Sequence, residues 1–211
     1  MLGLCVGPLM LPTSAYAQAT CSDAPVVLLN GPVDTLFLNW AKPIRDPMHE
    51  CILAEFNKAK DRVRSVILNL SSGGGSLKAA ENAIAVLKTI RATHRLDTMV
   101  SRGAICGSAC VPIFLAGERR YGALTSSWLF HEVGRSNAKN GWKVISDRAK
   151  TERVLQDYFL AAGVSEAWLN QLRPRIQHSD YWQTGQNLID DKSGIITHPL
   201  DNLTPRRTEQ K

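Results

Sequence analysis

Ser65-Val66-Ile67-Leu68-Asn69-Leu70 runs without a break into Ser71-Ser72-Gly73-Gly74-Gly75-Ser76, and Leu77 opens the next segment. The first six residues read as a buried strand. After the glycines, Ala79, Ala83, Val86, Leu87 and Ile90 share one face at helical spacing. A strand, a glycine loop and a helix in that order begin a crossover connection, so the expected fold is α/β with a parallel sheet and flanking helices. Consecutive glycines let backbone amides approach a ligand closely and point inward, which suits an anion or an oxyanion. A tight turn needs the same residues. No Gly-Lys-Ser/Thr follows, so this is not a nucleotide phosphate loop.

Outward from that unit, elements alternate. Residues 25–30 read as a buried strand, Gly31-Pro32 as a turn, and 33–40 as a second strand with Val33, Leu36, Leu38 and Trp40 apolar. Residues 46–60 carry Met48, Ile52, Leu53 and Phe56 at helical spacing. Strands are expected at 97–101 and 127–130. Helices are expected at 108–116, at 142–161 before Ala162-Gly163, and at 164–172 with Ser165 as N-cap.

The chain has 211 residues, 44% of them hydrophobic, enough for one domain with a core that needs no metal or disulfide. Net charge is +6, but the arginines are scattered and no basic stripe is interleaved with aromatics. That argues against nucleic acid and for a mildly basic solvated surface. Leu2 to Leu11 is apolar, and Ala15 and Ala17 form an A-x-A site, so residues 1–17 read as a signal peptide with Gln18 as the first mature residue. No Lys or Arg precedes the apolar run, which is also too short to span a bilayer. The domain then covers 18–201, and 202–211 form a polar tail.

Cys5 would leave with the signal; Cys21, Cys51, Cys106 and Cys110 remain. An even number in an oxidising compartment invites pairing. Cys21–Cys51 with Cys106–Cys110 is the preferred set, and reduced buried thiols are the alternative. No C-x2-C pair exists, which excludes a zinc ribbon, and no metal site is expected.

Two further segments carry chemistry. Gly103-Ala104-Ile105-Cys106-Gly107-Ser108-Ala109-Cys110 sets a serine among small residues at a strand-to-helix junction. There its hydroxyl is accessible and backbone amides are unpaired. A plain N-cap serine has the same signature. Phe130-His131-Glu132-Val133 ends an apolar strand with an imidazole that can project into a cleft and take a proton near neutrality. A satisfied core or surface histidine is the alternative.

Taken in order, these segments resemble the Clp protease proteolytic subunit, within the wider crotonase superfamily. Val26 to Asp34 is similar to the family's opening strand-Gly-Pro-Ile-Asp segment, and Leu68 to Leu77 to its N-S-P-G-G-S-V loop. Gly107-Ser108-Ala109 falls where the family has its nucleophile, Leu115 to Tyr121 on the A-A-G-x-x-R run, and Phe130-His131-Glu132 on I-H-Q. Ser179 to Thr184 and Gly185 to Asp190 resemble the final D-x-x-x-(S/T) and G-L-(I/V)-D segments.

The resemblance implies a ClpP/crotonase-like spiral of ββα units. It also implies a serine peptidase acting on peptides or unfolded polypeptide, with Ser108 as nucleophile, His131 as base and Asp180 as orienting acid. Asp147, Asp190 and Asp191 are rivals for the acid, and His178 reads as a surface residue. The oxyanion hole would be the amides of Gly75 and Ala109, with Gly74 the alternative. No cofactor is implied, and a homo-oligomer is.

Departures from the family are informative. Ser72 and an extra glycine replace S-P-G-G, which changes the loop path. Cys106 and Cys110 bracket Ser108, a pattern closer to exported, periplasmic bacterial Clp-like proteins. A bridge there would lock the Ser108 turn, although i,i+4 positions on a helix lie near the upper limit of disulfide reach. Helix 142–161 matches the ring-to-ring contact region, and the short polar segment 134–141 implies a reduced accompanying strand. Export would separate the chain from any ATP-driven unfoldase. A catalytically silent binding or scaffold protein is the alternative function. An acyl-CoA enzyme fits less well, because such enzymes use carboxylate acids and bases and need CoA.

Overall fold

The computed structural model describes Cys21 and residues 26–27, 34–137, 143–177 and 179–200. The signal-peptide and C-terminal-tail expectations, and His178, lie outside the described residues. Strand β1 (Val26–Val27) pairs antiparallel with β2 (Thr35–Trp40). β2 pairs parallel with β3 (Ser65–Leu70), and β3 with β4 (Arg95–Val100). β6 (Arg120–Gly122) and β11 (His198–Pro199) continue the sheet in parallel, giving the order β1-β2-β3-β4-β6-β11. Val66, Leu68 and Leu70 of the central strand are fully buried, which is why its apolar run is nearly continuous.

Helix α1 (Met48–Ala59) follows β2, and α2 (Leu77–Arg91) follows β3. Ser76 caps α2 by accepting from the Ala79 amide at 3.2 Å. α2 buries Ala79, Ala80, Ala83, Ile84, Leu87 and Ile90, and its small residues let it lie close to its neighbours. This is the α/β architecture with a parallel sheet and flanking helices that the glycine-loop unit predicts.

A second, three-stranded sheet carries the chemistry-bearing segments. β5 (Ile105–Gly107) pairs parallel with β7 (Ser127–Phe130), and β7 antiparallel with β10 (Tyr181–Thr184). Trp128 at its centre is fully buried, edge-on to Phe114 at 4.8 Å, with its indole N–H donated to Ser126 Oγ at 2.8 Å. The strand β10 is only four residues long, too short to announce itself in the sequence. It forms because β7 offers it a ladder.

Three expectations are corrected. The helix expected over 108–116 is only α3 (Cys110–Phe114), because the chain is still in β5 at Cys106 and turns at Ser108. The helix expected from 142 starts at Arg148. Residues before it form β9 (Lys143–Ser146), paired antiparallel with β8 (Gly134–Asn137), so the accompanying strand is present as a hairpin. Asp147 marks the boundary by accepting from the Lys150 amide at 3.1 Å. α4 (Arg148–Val154) then continues through a π turn (Leu155–Phe159) and a 3-10 turn (Leu160–Ala162), and ends at left-handed Gly163. Finally α5 (Glu166–Ile176), capped by Ser165 as expected, passes through Pro174 and outruns its expected end. It is followed after β10 by the short α6 (Gly185–Asp190).

Both preferred cysteine pairs lie at disulfide distance, each with Cα atoms 5.3 Å apart. Cys106 and Cys110 come this close because a turn, not helix, separates them. Among the described residues no helix is long and apolar enough to cross a membrane.

Candidate active site

The glycine loop is laid down as an extra strand on β5. The Ser72 amide donates to the Ile105 carbonyl at 2.7 Å, and the Gly107 amide to the Ser72 carbonyl at 2.9 Å. Ser72 is buried, and its hydroxyl accepts from the Gly74 amide at 3.2 Å. On the loop's other side Ile44 forms a parallel bridge, donating to Gly74 O at 2.9 Å and accepting from Ser76 N at 2.8 Å. In such a bridge the amide of the intervening residue, Gly75, points away from Ile44. Gly75 has φ +152°, and a Cβ there would lie 2.2 Å from Ile44 O, so only glycine fits.

Ser108 stands where β5 ends. Its amide donates to the Leu129 carbonyl at 2.8 Å, and its carbonyl accepts from Val111 N at 3.0 Å. Its φ of +50° is left-handed, an uncommon state for serine that surrounding contacts must hold. The N-cap alternative fails: the cap position of α3 is Ala109, and the Ser108 hydroxyl makes no hydrogen bond among the described residues. The Ala109 and Gly75 amides likewise donate to nothing among the described residues, whereas those of Gly74, Gly107 and Ser108 are committed. Of the amides considered for an oxyanion hole, Gly75 and Ala109 are therefore the free ones.

His131 follows β7. Its Nδ1 lies 2.6 Å from the Glu132 carbonyl. A carbonyl only accepts, so Nδ1 donates and the neutral ring keeps its lone pair on Nε2. The Glu132 carboxylate is itself buried, with Oε1 3.5 Å from Arg148 Nε and Oε2 without a partner.

Ser108, Ala109, Gly75 and His131 line one cleft of about 630 Å³. Its inner wall is apolar, built by Val111, Leu155, Phe159, Leu172 and Ile176. Two of these come from the π turn, which rotates Leu155 and Phe159 onto the same wall. Gly74 lines the back of the Ser108 turn instead: a Cβ there would lie 2.6 Å from Ser108 Cβ.

Asp180 does not line the cleft and makes no hydrogen bond among the described residues. Tyr181 pairs with Phe130, so Asp180 stands one step beyond the ladder, on the side of His131. Of the rivals, Asp147 caps α4 and donates its amide to the Val133 carbonyl at 2.7 Å, two residues past His131; Asp190 accepts from Gln186 at 2.8 Å, and Asp191 is exposed. Sequence reasoning missed the Ser72 hydroxyl, the Glu132–Arg148 pair, and Lys78 and Lys150 in the cleft wall. The replacement of the loop proline by Ser72 was the available signal for the first. The others depend on tertiary contact. Among the described residues no cluster of His, Cys, Asp or Glu could hold a metal ion.

No family model matches the chain, and no curated protein does. Among solved structures, a mutant of ClpP1 from Listeria monocytogenes superposes with a TM-score of 0.59 at 15% sequence identity, covering 78% of this chain and 90% of that one. At that identity the likeness is one of architecture: this chain has a ClpP-like α/β fold.

Proposed function

We propose that the chain is a serine hydrolase cleaving peptides or unfolded polypeptide. Ser108 attacks, His131 takes its proton through Nε2, and the Gly75 and Ala109 amides receive the oxyanion. The observation that carries this is the shared cleft: a left-handed, unbonded serine and an imidazole with a free Nε2 line it together, beside two uncommitted amides. Free N–H groups aimed where negative charge develops are the largest electrostatic aid to acyl transfer. Asp180 is the proposed orienting acid, taking Nδ1 over from the Glu132 carbonyl in the working enzyme.

Export to the periplasm and assembly into a homo-oligomer belong to the same reading. The two cysteine pairs support the first. Trp182 and Ile105 support the second: they lie on one face of the small sheet and are 52% and 38% exposed.

A fluorophosphonate probe tests the proposal. Labelling at Ser108, abolished by Ser108→Ala and strongly slowed by His131→Ala, is expected. Peptide turnover should fall by about 10⁴–10⁶ in Ser108→Ala. No labelling of the wild-type assembly would favour a silent binding protein.

A further inference from the structure

Lys78 and Lys150 line the same cleft as Ser108 and His131. Neither ammonium has a carboxylate partner or a hydrogen-bond acceptor among the described residues. No Asp or Glu lines the cleft among those residues either. Each lysine stands in the first turn of its helix, and neither first turn holds an acidic side chain. A cation there opposes the helix dipole, weakly at exposed Lys78 and at α4, whose N-terminus Asp147 caps. Lys78 is exposed and Lys150 half-buried, and both line a cleft whose inner wall is apolar and to which no carboxylate contributes among the described residues. A bound anion would offset both charges.

We infer that the preferred substrate is an acidic peptide segment: a bulky apolar residue fills the inner cleft while Asp or Glu beside it meets Lys78 and Lys150. This rests on the cleft being the substrate site of the proposed hydrolase. Lys78 is exposed and Lys150 half-buried, so the attraction is that of solvated charges and is screened by salt.

The test measures binding, so it does not depend on turnover. The full chain carrying Ser108→Ala is titrated into fluorescein-labelled peptides with a central Glu-Leu-Glu or Lys-Leu-Lys and otherwise identical flanks, read by anisotropy. The acidic peptide should bind about five- to tenfold tighter at low salt. The contrast should shrink at about 0.5 M salt. It should fall below about twofold when Lys78→Gln and Lys150→Gln are added. Equal affinities, a preference for the basic peptide, or a preference untouched by the lysine substitutions would overturn the inference. Probe labelling of the wild-type chain judges the hydrolase reading separately. Labelling with equal affinities sinks only the acidic preference, and acidic preference without labelling sinks only the hydrolysis.

Discussion

Ser108 occupies a backbone state that serine seldom adopts, and its neighbours explain how. Gly74 has φ +112° and packs its bare Cα against the Ser108 side chain. Gly74→Ala would put a methyl 2.6 Å from Ser108 Cβ and 2.8 Å from Gly107 O, so the turn must move. We expect a stability loss of about 1–3 kcal/mol in urea titration, and a loss of probe labelling that persists at temperatures where the variant is folded. A folded Gly74→Ala chain that labels at the wild-type rate would show that the serine does not need this support. The acid can be tested at the same scale. Asp180→Asn should lower turnover by about 10²–10⁴, and by little more when His131→Ala is already present. An Asp180→Asn rate within twofold of wild type would leave the Glu132 carbonyl as the only orienting group for Nδ1.

The element that matters most is the β5-to-α3 turn. Cys106 and Cys110 are both fully buried and close a loop around Ser108. A crosslink spanning so few residues is worth about 2 kcal/mol by loop closure. Cys106→Ala/Cys110→Ala should therefore lower stability by that order and slow Ser108 labelling, while far-UV circular dichroism stays unchanged. Labelling that is indifferent to the double substitution would limit the pair to stability. The helix that forms the cleft's inner wall offers a second check. Burial pushes the Tyr158 phenol above its ordinary range, with Glu81 and Asp157 adding to the shift. A raised phenol keeps its full contribution below about pH 10 and loses it as pH rises further, because ionisation is harder in the folded chain. Tyr158→Phe should accordingly flatten the fall of the urea midpoint above about pH 10.

Across the whole molecule, the glycine loop joins the two sheets through the Ser72–Cys106 bridge, and the last described residues return to the main sheet. Arg120 of β6 is buried and donates Nε to Ile195 O at 2.8 Å and Nη2 to Gly194 O at 2.7 Å. These bonds clip the segment leading to β11 onto the main sheet. Arg120→Ala would leave the buried Ile195 carbonyl and the half-buried Gly194 carbonyl without their donor, for a loss of about 1–3 kcal/mol. The check is the urea midpoint, with increased proteolysis after the residue-190 region. An unchanged midpoint would mean that β11 holds itself in place. Exposed Trp182 and Ile105 set the assembly prediction: Trp182→Glu should shift the species seen by light scattering toward the monomer, and a wild-type monomer at all concentrations would sink it.

Within the main sheet, β3 was legible as a nearly continuous apolar run and β2 by its alternation, whereas the short β6 and β11 carry no such pattern. β3 reads as buried wherever it is placed, and the spacing of Ala79, Ala83 and Leu87 allows one helix face. The cysteine pairing was preferred from the even cysteine count, and the proposed roles of Ser108 and His131 came from motif order, which local pattern alone leaves ambiguous with caps and core residues. Three things waited for tertiary structure: the start of α4, the strand β10, and the path of the Ser108 turn. Residues 143–146 and 181–184 are short; the first pair with 134–137 in a local hairpin, and the second gain strand hydrogen bonds only from β7, distant in the chain. Which amides stay free, and whether two lysines face one cleft, are facts about neighbours far apart in sequence. Periodicity records the face a residue turns to its own element's core, whereas a site is made where several elements meet, and that meeting is decided by packing.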